Sequence, residues 1–568
     1  MSLSRREFLQ FLAAASTGAA LSACERKSFG VANAQGDLYS VPTFGHVSLL
    51  HIGDLHAQLQ PLYFREADVN VGRRAASVGE TLLKQYHIPA SGIDAYALTH
   101  MDFVQAAKLY GKMGGLAYVA TLIRTLRDQR AGRCLLLDSG DTWQGSATSL
   151  WTHAQDMAGA AELLGVDAMT GHWEFSFGER RVQEIVTGFG TRTRFLAQNV
   201  LEREGATPVF APYMRRDLNG VPVAVIGQAS AFAPTTPRFT LDNWRFGFEE
   251  ERLQQIVDQA TAEGARLVVL LSHNGIEADR KLVSRVRGID VVLSGHGHDA
   301  LPAPLVVGSG DRRCLIVSSG ANGKFVSVLD VEMRNGRLYD YRYRLLPVIA
   351  NFIAPEPRMS AYIEKVRLPF KPILNEALAV TDTLLYRRAA LASSFDELLL
   401  RALRTAYDAP IAMFPGYRWG ATLLPGDTIR YEDLLDHTAV PGAGTTVDLR
   451  RGEEIKDVLE QAADRLFNPD PYAREGGDML RTTGLHFTID PSAEFGARIG
   501  DLMLADGTTI EPQKTYRVAA WALTGNEDGR TLSEIAADFL RGEKIVRVGE
   551  VYLPTLKQQQ QAPLNRQA

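Results

Sequence analysis

The feature that most constrains this chain is an alternation. Between residues 45 and 345, short runs of Val, Leu and Ile recur, each stopped by Gly, Ser, Asp or His and separated by longer helical patterns. HVSLLHIGD (46–54), RCLLLDSGD (133–141), VDAMTGH (166–172), VPVAVIGQ (221–228), RLVVLLSH (266–273), DVVLSGH (290–296) and RCLIVSSG (313–320) read as strands. GLAYVATLIRTLRDQ and EERLQQIVDQATAEGA read as helices between them. Strands that are apolar at consecutive positions belong in a sheet covered on both faces, so residues 45–350 predict a layered α/β unit. A Pro-marked linking helix is expected over 351–374, and a second, smaller α/β unit over 375–555. The glutamine-rich segment 556–568 reads as a loose tail.

At 568 residues with 45% hydrophobic and 22% charged side chains, the chain reads as a multi-domain globular protein. Its formal net charge of −5 offers no basic field for nucleic acid. The first residues, SRREFLQFLAAASTGAALSAC, have the layout of a twin-arginine export signal: Arg5 and Arg6, then a short Ala-rich apolar stretch. That stretch is too short to span a membrane. Two endings compete, lipidation at Cys24 or cleavage after Ala34. Export to the periplasm with cleavage is favoured, because Ala32-Asn33-Ala34 closes a plausible pre-sequence of residues 1–34. Cys134 and Cys314 then remain, both inside apolar runs, where buried free thiols are expected.

The chemistry lies at the carboxyl ends of the runs, where ligands of α/β sheets collect. Read in order, those ends give Asp54 and His56, Asp141, His172, His273, then His296 and His298. Carboxylate and imidazole together suit Mn, Fe or Zn rather than Mg or Ca. Seven ligands exceed the needs of one ion, and a shared carboxylate can bridge a pair. His46, His51, His87, His100, His153, His437 and His486 lack such a position and read as solvated or structural.

GDLH, GDTWQGS, GHWEFSFG, SHNG and SGHGH, in this order, resemble the calcineurin-like metallophosphoesterase pattern, specifically its 5′-nucleotidase branch. GYRWGATLLPGDTIRYEDLL, GEEIKDVLEQ, GGDMLRTTGLHFTID and KTYRVAA are similar to the nucleotidase C-terminal domain. The resemblance implies an N-terminal β-sandwich flanked by helices and a smaller C-terminal domain for substrate. It also implies one ion on Asp54, His56, Asp141 and His298, and a second on Asp141, His172, His273 and His296.

The departures are specific. Where the family usually reads G-N-H-E-F-D, this chain has His172 for the Asn ligand, Trp173 for the catalytic His and Ser176 for its Asp partner. The two aromatics that clamp a nucleoside have no counterpart in DHTAV (436–440) or TGNEDGR (524–530). Arg418 matches an arginine of the family and is the candidate for an anionic group. Glu174 is expected to support a ligand or its loop, and Trp173 to wall an apolar channel or simply to fill core. With Asp141 and His172, these two make up the expected reaction centre.

Loss of the acid–base pair and of the clamp, in an exported two-metal hydrolase, resembles the sulfate thiohydrolase (SoxB) family of the thiosulfate-oxidising Sox system. That likeness implies two manganese ions, with zinc and iron left open. It further implies release of sulfate from a cysteine S-sulfonate on the C-terminal arm of the carrier SoxYZ, by hydroxide generated at the metals. A 5′-nucleotidase or cyclic phosphodiesterase, and a silent metal-bound partner-binding protein, are the alternatives.

Overall fold

The computed structural model describes residues 38–68, 79–191, 193–205, 207–232, 241–310, 313–522 and 529–557. The export signal with Cys24 and Ala34, and the chain beyond Lys557, lie outside the described residues. All seven apolar runs form strands, but in two stacked sheets rather than one open sheet. The strands are β1 (Val47–Ile52), β2 (Cys134–Asp138), β3 (Ala168–Met169), β4 (Arg194–Phe195), β5 (Tyr213–Leu218) and β6 (Val221–Gln228). They continue with β7 (Leu267–Ser272), β8 (Val291–Ser294), β9 (Leu305–Val307), β10 (Cys314–Val317), β11 (Phe325–Arg334) and β12 (Arg337–Pro347). The six-stranded sheets run β12-β11-β1-β2-β3-β4 and β9-β10-β8-β7-β6-β5. Within them β1, β2 and β3 are parallel, as are β6, β7, β8 and β10.

The two-residue period of a strand explains why these runs are apolar throughout. Leu49, Leu135 and Leu137 meet Val225, Val269, Leu271 and Leu293 between the sheets. Their neighbours Leu50, Ile52 and Leu136 face outward onto helices Leu116–Gln129, Gln155–Leu164 and Pro357–Arg367. On the second sheet Ile226, Val268, Leu270 and Val292 face helices Glu250–Ala262 and Ile276–Arg285. The result is a helix–sheet–sheet–helix stack, the sandwich flanked by helices that the resemblance implies. Helix Pro357–Arg367, inside the linking segment, buries Met359 and Ile363 in this stack.

Residues from Ala377 onward build a second α/β unit. A four-stranded sheet orders Gly444–Arg451, Thr515–Ala522, Ile411–Gly416 and Asp478–Thr483. Helices Ser394–Tyr407 and Leu532–Glu543 cover one face through Phe414 and Trp521, and Gly452–Phe467 covers the other through Ile411, Met413 and Val518. Cys134 and Cys314 are free, on different sheets, and burial raises both thiols, Cys134 to about 12. Among the described residues, no helix is long and apolar enough to cross a membrane.

Candidate metal centre

The sandwich stacks β1, β2 and β3 of one sheet against β7 and β8 of the other, so their carboxyl ends open onto one rim. There the backbone leaves the strands abruptly. Asp54, His56, Asp141, His296 and His298 all have positive φ, between 46° and 74°. Such conformations cost non-glycine residues about 1–3 kcal/mol each and collect at functional sites. The turns interlock: Asp54 N–H donates to Gly140 O at 2.7 Å, His56 N–H to Asp141 O at 2.8 Å, and His296 N–H to Asp54 Oδ1 at 2.8 Å.

The seven residues named from strand ends come together as two clusters, Asp54, His56, Asp141 and His298, and Asp141, His172, His273 and His296. In each cluster one ligand atom per residue lies within 4.8 Å of the others, and Asp141 belongs to both. Asp141 sits at the middle, with His172 Nδ1 at 3.2 Å, His273 Nε2 at 3.1 Å and His56 Nε2 at 3.7 Å. Of the other histidines, His51 is a buried core residue bonded to Ser319 Oγ at 2.7 Å, and none joins either cluster.

The donor set fits cations. Three imidazoles each have one nitrogen against a carbonyl oxygen, which can only accept: His56 Nδ1 on Gln144 O at 3.2 Å, His273 Nδ1 on Ser139 O at 2.6 Å, His296 Nε2 on Glu475 O at 3.1 Å. That nitrogen must carry the proton, so the other offers its lone pair, the usual preparation of a metal-binding histidine. His56 Nε2 and His298 Nε2 face each other at 3.0 Å, a contact two lone pairs tolerate only around a proton or a cation. Burial pushes Asp54 well above the carboxylate range, with Asp141 adding to it. Burial also opposes charge on His273, yet Asp141 and Asp54 hold its imidazolium and lift it to about 10. The site takes up positive charge on His273 where bound ions would supply it. Burial holds His56 down at about 4 and His296 and His298 well below the usual range, so these stay neutral ligands.

Glu174 is fully buried and accepts four backbone N–H bonds: from Thr142 at 2.7 Å, His172 at 2.8 Å, Asp141 at 3.2 Å and Trp143 at 3.3 Å. It ties the β2 loop to the β3 loop, the two turns that carry Asp141 and His172. Trp173 begins a short 3₁₀ helix, Trp173–Phe177, and its N–H donates to Asp141 Oδ1 at 2.8 Å. Ser176 Oγ donates to the Trp173 carbonyl at 2.6 Å, closing that turn.

The second unit roofs the site over a cavity of about 340 Å³. Strand Ile411–Gly416 ends in Tyr417, Arg418 and Trp419. The half-buried Trp173 indole meets the Tyr417 ring edge-on at 5.8 Å and Trp419 at 5.4 Å, and Trp419 stacks on His56 at 4.9 Å. Sequence reasoning missed Tyr417 and Trp419. Their one signal is the placing of aromatics on both sides of Arg418. Arg418 lines the cavity, where its guanidinium donates to Asp478 Oδ1 at 3.0 Å, His296 O at 3.2 Å and Gly477 O. Outside the ligand clusters, the acids lining the cavity among the described residues are Glu475 and Asp478, paired with Arg465 at 2.9 Å and Arg418 at 3.0 Å. His437, in the DHTAV stretch, is buried away from the cavity and stacked on Phe395 at 3.5 Å. Residues 523–528 lie outside the described residues.

Comparison with known proteins places this geometry. Residues 378–534 match the 5′-nucleotidase C-terminal domain family. The 5′-nucleotidase of Rattus norvegicus is 25% identical over 499 residues, covering 78% of this chain and 83% of the relative, and that of Bos taurus is 26% identical over 497 residues. Among solved structures, a 5′-nucleotidase precursor from Thermus thermophilus superposes with a TM-score of 0.71 at 21% identity, covering 90% of this chain and 99% of that one. The sulfate thiohydrolase SoxB of Thermus thermophilus, solved with glycerol, gives a TM-score of 0.87 at 34% identity over 91% of this chain and 98% of its own. The chain therefore belongs to the SoxB family of the 5′-nucleotidase superfamily.

Proposed function

We propose that this protein is a sulfate thiohydrolase that acts in the periplasm after twin-arginine export. In this reading it hydrolyses a cysteine S-sulfonate, or its longer sulfane homologue, on the C-terminal arm of the carrier SoxYZ. The observation that carries it is Trp173. In the place where the nucleotidase pattern has a catalytic His, an indole packs on Tyr417 and Trp419, and the nearby acids Glu475 and Asp478 are bound up with arginines.

Leaving-group chemistry explains why such a site still works. A phosphate monoester expels an alkoxide whose conjugate acid has a pKa near that of water, about 15.7, and a positioned proton donor speeds this by about 10²–10⁴-fold. An S-sulfonate expels a cysteine thiolate whose conjugate acid has a pKa of about 8.5. Water adds to the terminal sulfur, the sulfur–sulfur bond breaks, and its electron pair leaves on the thiolate. The products are sulfate, the carrier thiolate and two protons, and no donor at position 173 is required.

Asp54, His56, Asp141 and His298 would hold one divalent ion, and Asp141, His172, His273 and His296 the other, manganese being the favoured metal. Bound there, the pair supplies Lewis acidity that activates water and neutralises sulfonate charge. Trp173, Tyr417 and Trp419 line the cavity that, in this reading, receives the carrier's peptide arm. Arg418, ion-paired with Asp478, lines the cavity as the candidate contact for an anionic group.

The test uses full-length protein loaded with manganese. It is expected to release sulfate from S-sulfonated SoxYZ, to lose that activity with chelator, and to turn over AMP poorly. Trp173→Phe is expected to keep at least a tenth of the sulfate release, because the ring gives no proton. Robust AMP hydrolysis without sulfate release returns the assignment to a nucleotidase, and no hydrolysis of either substrate returns it to a silent binding domain.

A further inference from the structure

His296 is the joint between the two clusters and the two domains. Its N–H donates to Asp54 of one cluster at 2.8 Å while its ring belongs to the other. Among the described residues, its two further hydrogen-bond contacts come from the second domain: Arg418 donates to its carbonyl at 3.2 Å, and its Nε2 lies 3.1 Å from Glu475 O. The residue after Glu475 has no room for a side chain. A Cβ on Gly476 would stand 1.9 Å from His296 Nε2, and the backbone there has φ of +91°. Gly477 has a similar φ of +81°, but a Cβ would meet only Gly416 O at 3.5 Å.

We propose that the Glu475–Gly476 turn of the second domain is the positioning element for His296, so that binding of the second ion depends on docking of that domain. The proposal rests on the reading of the Asp141, His172, His273 and His296 cluster as an ion site. The Glu475 carbonyl fixes the proton on Nε2 and leaves Nδ1 as the lone pair a cation can use. Gly476 lets the carbonyl approach the ring edge. The turn is itself anchored close by, where Tyr472 stacks on Phe248 of the first domain at 3.7 Å and 12° and donates to Glu250 at 2.6 Å. Domain docking, through Tyr472, thus sets the ring that completes one ion site, while the second domain meets the other through Trp419 stacked on His56, away from the Glu475–Gly476 turn.

The experiment is manganese titration of the metal-free full-length chain, with metal content after gel filtration and electron paramagnetic resonance as readouts. The wild type is expected to bind two ions. Gly476→Ala is expected to keep one at unchanged affinity, to bind the other about 10–100-fold more weakly, and to show the spectrum of isolated Mn(II). Gly477→Ala, with the same backbone strain and no contact with His296, is expected to keep both. Tyr472→Ala, remote from the ligands, is expected to weaken the ion on His296 several-fold and the other less. Equal affinities in Gly476→Ala and the wild type, or equal losses in both glycine variants, overturn the proposal. Should Gly476→Ala fail to fold, unchanged binding of both ions by Tyr472→Ala overturns it. Fewer than two ions in the wild type would instead overturn the metal-centre reading itself.

Discussion

At the scale of single residues, Glu174 shows how a site is held by groups that touch no substrate. Its carboxylate gathers four N–H donors from two loops in a fully buried place. Burial, with Asp141 nearby, raises its pKa, a penalty the four N–H bonds offset. Glu174→Gln keeps the shape but turns an amide N–H₂ toward donors. We expect both ions to bind about 10–100-fold more weakly, measured by titration calorimetry, and wild-type affinity would refute this role. The candidate ligands were legible because Asp and His directly after apolar runs have no packing reason to recur at five strand ends. Trp173 was legible as a departure from a family pattern. Tyr417 and Trp419 were not, because only the docking of the second domain brings Trp419 onto His56 and Tyr417 against Trp173. The Glu475 carbonyl is backbone, and no side chain announces it.

At the scale of elements, the rim depends on how strand ends are clipped. Asp279, on helix Ile276–Arg285, accepts from Ser272 Oγ at the end of β7 and Ser294 Oγ at the end of β8, both at 2.6 Å. It holds together the strands that deliver His273, His296 and His298. Burial raises its pKa from 3.8 to about 6. A carboxyl raised on folding contributes stability that is fully present below its unfolded pKa and is lost as pH rises through its folded one. The wild type should therefore lose ground to Asp279→Asn, which mimics the protonated acid. Between pH 5 and 7.5 the difference is expected to move by about 1–2 kcal/mol in favour of the variant. Denaturant unfolding of the metal-free proteins at the two pH values checks it, and a difference that stays constant or moves the other way rejects it. The strand runs themselves were readable from Val, Leu and Ile at consecutive positions. Their division between two sheets was not, since a doubly covered strand looks the same in either arrangement. The long hairpin of β11 and β12 lies outside the strand–helix alternation. Its signal is local, the Asn335-Gly336 turn with φ of 51° and 71°.

At the scale of the whole molecule, the centre is a concentration of buried charge that two domains enclose. Asp54, Asp138, Asp141 and Glu174 lie within it, and burial, with Glu174 adding to it, lifts Asp138 to about 7. The second domain closes over them through Gln144 Nε2 on Ala439 O at 2.9 Å, Arg388 on Asp299 at 3.1 Å and Lys281 on Asp470 at 2.6 Å. Cations that neutralise these carboxylates bind the folded chain and not the unfolded one, so they must stabilise it by mass action. At free metal a hundredfold above the dissociation constant, each site adds about 2.7 kcal/mol. A domain of this size shifts its midpoint by about 2–4 °C per kcal/mol. Removing both ions is therefore expected to lower the unfolding midpoint of the first domain by about 10 °C or more. The second domain offers no ligand to either cluster, but the contacts on His296 couple its docking to one ion, so its transition is expected to fall with the first by a smaller amount. Calorimetry of the full chain with manganese and after chelation resolves the two transitions. An unchanged first transition, with metal loss verified by elemental analysis, would mean that the clusters are held by their hydrogen bonds alone. A fall in both transitions together would show that the ions and the domain interface share one free energy, as the contacts on His296 require.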